Sequence, residues 1–298
     1  MISVVIATKN RSSHVEYLLD QISHQSLLPI EVIIIDASDE FTEFNNRDFP
    51  FPILHTQSSI SSTAIQRNIG LNLVSINAKY IAILDDDTYP DKNYFSDLIE
   101  SMIHTDSVGV SGIAIPVTPR NQSSFLAQIF KYFFLLDHWN GGTITRGGIN
   151  VPVLNVNSGL IKVDWLIGCS IYNIEKITNL RFDSSLYGYG LFDDVIFSLQ
   201  ASRNGDLYVD TRVTLKHIEL SIDEHKSSEF WYKWTHNRKK VVNLLYGKRL
   251  KWLSYCWSNL GQFLIIFFNY KSGKLEIFCQ MILGMFQNGK DCYSKVVK

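Results

Sequence analysis

Through residue 113 the chain alternates between two hydrophobic periods. Short apolar runs rich in β-branched residues occupy 2–7 (ISVVIA), 31–35 (EVIII), 53–55 (ILH), 80–84 (YIAIL) and 108–113 (VGVSGI). Such continuous runs, each bounded by polar or turn-forming residues, fit strands buried on both faces of a parallel sheet. Helical patterns lie between them. Val15, Leu18, Leu19 and Ile22 share one face after a capping serine, Ser12 or Ser13. Ile65, Ile69 and Leu73 mark a face of a helix over 63–76, and a helix capped by Asp91 runs through residue 103. This alternation predicts an α/β fold with a doubly wound, mostly parallel central sheet.

After residue 113 the pattern loosens. Residues 123–139 are aromatic and apolar, and 141–148 are glycine-rich with Arg146 among them. The glycine-rich stretch reads as a mobile substrate loop or as a plain surface connection. Strand character returns over 160–175. A loop over 186–194 leads into a helix over 194–203, with Val195, Leu199 and Ser202 on one face. Short strands follow at 207–209 and 213–216, the second ending at His217. Beyond Ser227 the chain reads as helical, and 260–270 and 275–286 are apolar on most sides.

The polar residues that end the early strands are the candidate chemistry. Thr8, Asn10 and Arg11 follow the first strand, Asp36 ends the second, and Asp85, Asp86 and Asp87 end the fourth. In open α/β sheets ligands bind at the carboxyl ends of strands. Three adjacent carboxylates repel one another unless a cation or hydrogen-bond donors hold them, and hard divalent ions take oxygen ligands. The triplet reads as a metal-and-phosphate site or as a solvated acidic turn. No GxGxxG follows the first strand, so a dinucleotide fingerprint is missing, and Gly188-Tyr189-Gly190 follows no strand pattern.

Charge changes this picture at one place. The formal net charge of the 298 residues is −1, which argues against a nucleic-acid partner. Residues 226–298, however, hold thirteen Lys and Arg against three Asp and Glu, a net of +10. They also hold Trp231, Trp234, Trp252 and Trp257, four of the six tryptophans. The cysteines Cys169, Cys256, Cys279 and Cys292 form no CxxC pair, which points to a reduced setting without structural zinc. The first residues run straight into a strand pattern, so no signal peptide is expected. No apolar run reaches the ~18 residues of a membrane span.

Six blocks together resemble a family-2 glycosyltransferase of the GT-A fold, an inverting family. They are SVVIATKNR (3–11), VIIIDAS (32–38), QRNIGL (66–71), AILDDDTYP (82–90), VDWLIGCS (163–170) and FDDVIFSLQASRNG (192–205). Their order and spacing match across roughly residues 1–220. The resemblance implies a GT-A nucleotide-diphospho-sugar transferase domain over 1–225, with a nucleotide-sugar half (1–115) and an acceptor half (116–225). A basic, aromatic helical extension follows over 226–298.

It also implies roles. Thr8, Asn10 and Arg11 would contact the nucleotide, Asp36 the nucleobase, and Arg67 the diphosphate. Asp85 would meet the ribose and Asp87 the metal, Mg²⁺ or Mn²⁺, with Asp86 the variable middle member of the DxD motif. Asp193-Asp194 matches an acidic pair on the acceptor side, where Asp replaces the family's Glu, and Asp194 aligns with the general base. His217 matches a histidine that ligates metal in some members. The chemistry agrees: a cation acts as Lewis acid on the leaving diphosphate, arginine forms charge-assisted bonds to phosphate oxygens, and a carboxylate deprotonates the acceptor hydroxyl. A position at a helix start favours ionised Asp194.

Plainer roles stay open beside these. Asp194 could be a helix cap, His217 a structural strand-end residue, Arg67 a salt-bridge partner, and Trp165 either core or acceptor-pocket wall. Rival classes fit less well. A haloacid-type phosphatase needs Thr or Val where Tyr89 stands, and a nucleotidyltransferase needs a glycine-rich loop where TKNRSS stands. A non-catalytic sugar-nucleotide-binding scaffold would not need Asp85, Asp87 and Asp194. The expected partners are a UDP-, dTDP- or GDP-linked sugar and a glycan or lipid-linked acceptor, in bacterial cell-surface polysaccharide or glycolipid synthesis. The expected place is the cytoplasm, at the inner membrane face. The extension, with its basic and aromatic residues, is expected to lie on the membrane surface, or to pack as ordinary helices or a dimer contact.

Overall fold

The computed structural model describes residues 1–41, 44, 48–116, 124–154, 159–186, 188–218, 227–245, 248–269 and 273–286, with the side chains of 116 and 248–251 left out. Cys292 and the basic residues of 287–298 lie outside the described residues, as do 117–123 and 155–158 of the expected acceptor half. The chain clusters into two compact units. One comprises Met1–Arg120, Asn140–Thr143 and Pro152–Leu220; the other comprises Asn121–Trp139, Ile144–Val151 and Ser221–Lys298.

The first unit is built on a sheet of mostly parallel order. Its strands are β1 (Ile2–Thr8), β2 (Glu31–Asp36), β3 (Ile53–Gln57), β4 (Tyr80–Asp85), β5 (Thr88–Pro90), β6 (Gly109–Pro116), β7 (Leu160–Val163), β8 (Ser170–Asn173) and β9 (Leu207–His217). The spatial order is β3-β2-β1-β4-β8-β6-β9-β5, with β7 also on β9. Alternate residues of the early strands enter opposite cores. Val4, Ile6, Val32, Ile34, Ala82 and Leu84 join one cluster, and Val5, Ile33, Ile35, Ile81 and Ile83 join the other. Burial on both faces explains why these strands read as unbroken apolar runs.

Helices α1 (Ser12–Ser23) and α3 (Tyr94–Thr105) feed the first cluster through Val15, Leu18, Leu19, Ile22, Phe95 and Leu98. Each such side chain contributes about 1.5–3 kcal/mol on burial. Helices α2 (Thr63–Leu73), α5 (Ile174–Ile177) and α6 (Asp193–Ala201) feed the second through Ala64, Ile177, Phe197 and Ala201.

Several local expectations are corrected. α1 is preceded by Arg11, and no serine side chain caps it. Asn93, not Asp91, precedes α3; the Asp91 carboxylate instead accepts from Thr214. The buried face of α2 is Ala64, Gln66, Arg67 and Gly70, while Leu73 is exposed. Gly70 is what allows it: a Cβ there would fall 2.4 Å from Val5 Cγ1, so the helix lies close on β1. The two short strands expected over 207–216 are one. Asp210, which reads as a break, is buried and accepts from Ser101 Oγ at 2.6 Å and from Arg212.

The second unit joins α4 (Phe125–Phe133) to α7 (Ser228–Leu245), α8 (Lys248–Asn269) and α9 (Lys274–Phe286). Segments Asn121–Trp139 and Ile144–Val151, expected in the acceptor half, thus cluster with the C-terminal helices. Aromatic packing is the cause: Phe134 stacks on Trp257 at 4.8 Å, and Trp257 Nε1 donates to Phe133 O at 2.7 Å. The glycine-rich stretch is a closed turn, with Thr145 N donating to Ile149 O and Gly148 N to Thr145 O, both at 2.8 Å. Among the described residues no helix is long and apolar enough to cross a membrane.

Candidate active site

The register of the sheet sets the site. β1 lies between β2 and β4, all parallel, with Thr8 opposite Asp36 and Ala7 opposite Asp85. The three strands therefore finish level, and their polar ends share one edge. Beyond Asp85 the chain turns, closed by Thr88 Oγ1 donating to Asp85 O at 2.7 Å, and returns as β5. Thr88 pairs with His217 of β9. This brings His217 beside Asp87, with Nε2 3.4 Å from Oδ1.

The three aspartates differ in environment. Asp86 is buried and accepts from Thr8 Oγ1 at 2.7 Å and Arg11 Nη1 at 2.9 Å. Burial pushes its carboxyl up despite these donors. The middle aspartate, expected to contribute least, thus ties the β4 turn to the end of β1. Burial also works against ionised Asp87, but His217 and Arg11 outweigh it and hold that carboxyl below its ordinary value. Asp85 is the most open of the three, with 35% of its side chain exposed. Gly168 faces it; a Cβ there would fall 2.4 Å from Asp85 Oδ2 and 3.2 Å from Arg67 Nη2.

Arg67 stands where a phosphate contact was expected, but it is 3% exposed. Its Nη2 donates to Asp85, and its Nη1 donates to Asp193 Oδ2 at 2.8 Å. The guanidinium lies 5.2 Å from the centre of the Phe182 ring. Burial alone would lower its pKa, but Asp193, Asp85 and Asp194 raise it. A guanidinium already shared by two carboxylates is a link between the two acidic groups, not an open phosphate clamp.

Asp193 and Asp194 open α6 just after Phe192, whose φ of +69° lies in the left-handed region that bulky residues avoid. Asp194 Oδ1 accepts from Val195 N at 2.7 Å. Its carboxyl is pushed up to about 7, first by burial and then by the adjacent Asp193 charge, with Arg67 opposing. The helix start was expected to favour the ionised form; desolvation and like charge outweigh that dipole here. Asp194, Arg67, Gly168, Tyr172 and Phe182 line one small cavity.

The remaining expected residues are largely committed to each other. Asp36 accepts from Ser38 N and Oγ and faces His55 Nε2 at 3.3 Å. Asn10, with φ +55°, donates from Nδ2 to Asp39 Oδ2 at 2.9 Å, and its N–H donates to Ser38 Oγ at 2.6 Å. Trp165 is buried in the segment joining β7 to β8.

Sequence reasoning missed Gln66 and His55. Gln66 is buried and donates from Nε2 to Thr8 O at 2.7 Å and Ile35 O at 2.8 Å, pinning the ends of β1 and β2. Its place beside Arg67 in QRN was the available signal. His55 gave none beyond being a polar residue in a strand.

A divalent metal suits part of this geometry. Ligands at ~2.1 Å in adjacent octahedral positions stand about 3 Å apart, close to the Asp87–His217 separation, and Mg²⁺ ordinarily takes few protein ligands and completes its shell with phosphate and water. Among the described residues no group of three or more His, Cys, Asp or Glu side chains is arranged to hold a metal. Asp87 and His217 are the residues that would hold one.

Comparison with known proteins identifies the family and the fold. A family model described as glycosyl transferase family 2 matches residues 3–152, half of the chain. No curated protein sequence matches it. Among solved structures, S. aureus TarS 1–349 matches with a TM-score of 0.59 at 14% identity, over 95% of this chain and 79% of that one. TarS 1–349 in complex with UDP-GlcNAc matches with 0.60 at 15% identity, over the same shares. GalNAc-T7 with UDP, GalNAc and Mn²⁺ matches with 0.62 at 13% identity, over 99% of this chain and 57% of that one. At these identities the structural likeness is one of fold. The chain belongs to glycosyl transferase family 2, and it is a glycosyltransferase of the GT-A fold.

Proposed function

We propose that the protein is an inverting, divalent-metal-dependent glycosyltransferase, moving a sugar from a nucleoside diphosphate to a hydroxyl of a glycan or lipid-linked acceptor. The observation that carries this reading is Arg67, which joins the strand-end carboxylate Asp85 to the Asp193-Asp194 pair. Donor-side and acceptor-side acids are thereby held in one site. Asp194 takes the proton of the acceptor hydroxyl. That oxygen attacks the anomeric carbon as the carbon–oxygen bond to the diphosphate breaks on the opposite side. The nucleoside diphosphate departs with the bonding electrons, and the configuration inverts. Asp87 and His217 would hold the metal, whose chemistry is Lewis-acid neutralisation of the diphosphate. UDP complexes of the fold neighbours favour uridine among the UDP, dTDP and GDP alternatives, and Mn²⁺ in one of them favours a metal.

Asp87→Ala tests the donor half. Calorimetric titration with nucleotide sugar and Mn²⁺ is expected to show metal-dependent binding in the wild-type enzyme and at least tenfold weaker binding in the variant. Equal affinity with and without metal in the wild type would remove the metal from this reading.

The acceptor pathway is read as cell-surface polysaccharide or glycolipid synthesis at the cytoplasmic face of a membrane. Its support is the +10 charge of 226–298 and the exposed Leu253, Phe267, Phe268 and Leu275 of the helical unit. Basic and apolar residues together suit an anionic lipid surface. In flotation at low salt, the protein is expected to rise with phosphatidylglycerol vesicles. Leu253→Glu with Phe268→Glu is expected to weaken this about tenfold or more, since each loses apolar insertion. Unchanged flotation of the double variant would exclude this surface.

A further inference from the structure

The helical unit buries a charge that none of its described acids neutralises. Arg238, on α7, is 0% exposed. Its Nη2 donates to Asn259 Oδ1, and its guanidinium lies 5.8 Å from the Trp234 ring centre and 5.5 Å from that of Tyr255. Among the described residues its Nε and Nη1 make no hydrogen bond. The described acids of this unit are engaged elsewhere. Glu229 pairs with Lys233 at 2.8 Å, Glu276 accepts from Ser228 at 2.7 Å, and Asp137 accepts from His138 N at 2.8 Å. Burial accordingly pulls the Arg238 pKa down to about 10, with only the Tyr255 phenol opposing.

A role in packing alone does not explain this arrangement. Methionine or leucine would fill the same space among Trp234, Tyr255 and Val242 without desolvating a cation, and an unpaired buried charge is among the most costly groups a core can hold. The idle donors are guanidinium N–H groups, so the complementary group is an oxyanion. With Nη2 held by Asn259 and Nε and Nη1 idle, the guanidinium suits a phosphate group. We infer that Arg238 and Asn259 form a binding site for a phosphate group in the helical unit, separate in sequence from the strand-end acids of the sheet. Entry displaces the turn over 145–149. Gly148, at φ +80°, lies so close that a Cβ there would fall 2.9 Å from Arg238 Cγ.

The test is thermal unfolding of the whole chain, titrated with inorganic phosphate and, in a second arm, with soluble short-chain phosphatidic acid. Wild-type Tm is expected to rise in a saturating way, by roughly 3 °C at tenfold the Kd. Arg238→Met is expected to show only the general effect of phosphate as an excluded salt. Asn259→Asp places a carboxylate beside the guanidinium. It is expected to unfold at higher temperature than wild type without phosphate and to lose the phosphate response, which keeps the test decisive even if Arg238→Met folds poorly. Protection by both probes identifies a free-phosphate site, and protection by the lipid alone identifies a headgroup site. Equal shifts in all three proteins, or none in wild type with either probe, would overturn the inference. Phosphate bound at a donor site shifts all three equally, so failure of the transferase reading leaves this difference intact.

Discussion

Asp194→Asn is expected to lower kcat by about 10²–10⁴-fold while leaving donor affinity within about twofold of wild type. The amide is isosteric, and its oxygen can still accept from Val195 N, so the start of α6 stays in place. What is lost is the group that takes the hydroxyl proton. The wild-type pH profile gives the same assignment a second reading. A base acts ionised, and the Asp194 carboxyl is pushed up to about 7 by burial and by Asp193. The wild-type rate is therefore expected to climb as pH rises through about 7 and then level off. The residual rate of Asp194→Asn should lack that limb. Radiolabelled transfer between pH 5 and 9, with donor binding measured in parallel, decides it. A variant that keeps its limb, or that loses donor binding, would remove Asp194 from this role.

The fold was legible because the strands of this sheet are buried on both faces. Residues such as Val4-Val5-Ile6 and Ile33-Ile34-Ile35 alternate between two cores and so read as continuous apolar runs. The level strand ends were legible for the same reason, since parallel neighbours finish on one edge. Helix faces were harder. α2 buries Gln66 and Arg67, whose partners are strand-end carbonyls and carboxylates, and hydrophobic spacing cannot register a face built from polar bonds. β9 reads as two short strands because polar Asp210 interrupts the apolar pattern; in the fold Asp210 is buried and satisfied by Ser101 and Arg212. Asp86 reads as the variable middle position because its partners, Thr8 and Arg11, meet it only through the register of β1 and β4.

Arg67→Gln is expected to be the most damaging single change, acting on stability and rate together. It leaves Asp193, 6% exposed, without the cation that now donates to it at 2.8 Å, and it also strips Asp85 of its partner. Removing one member of a buried ion pair costs about 3–5 kcal/mol. The loss should depend on pH with a definite sign. The folded-state carboxyls of Asp193 and Asp194 are already raised by burial, and Arg67 is what opposes that rise. A raised acid favours the folded state below its unfolded pKa of about 4, and that favour is lost as pH climbs through the folded value. Without Arg67 the folded values move higher still. Denaturant unfolding should therefore show the gap between variant and wild type narrowing from pH 8 to pH 5. In the same variant the rising limb of the rate profile moves to higher pH, because Asp194 gives up its proton less readily. Arg67→Lys keeps a cation but not the two-sided fork, so it should restore stability in part and move the limb back toward wild type. A gap that widens at low pH, or a limb unmoved by Arg67→Gln, would show that Arg67 does not link the two acidic groups.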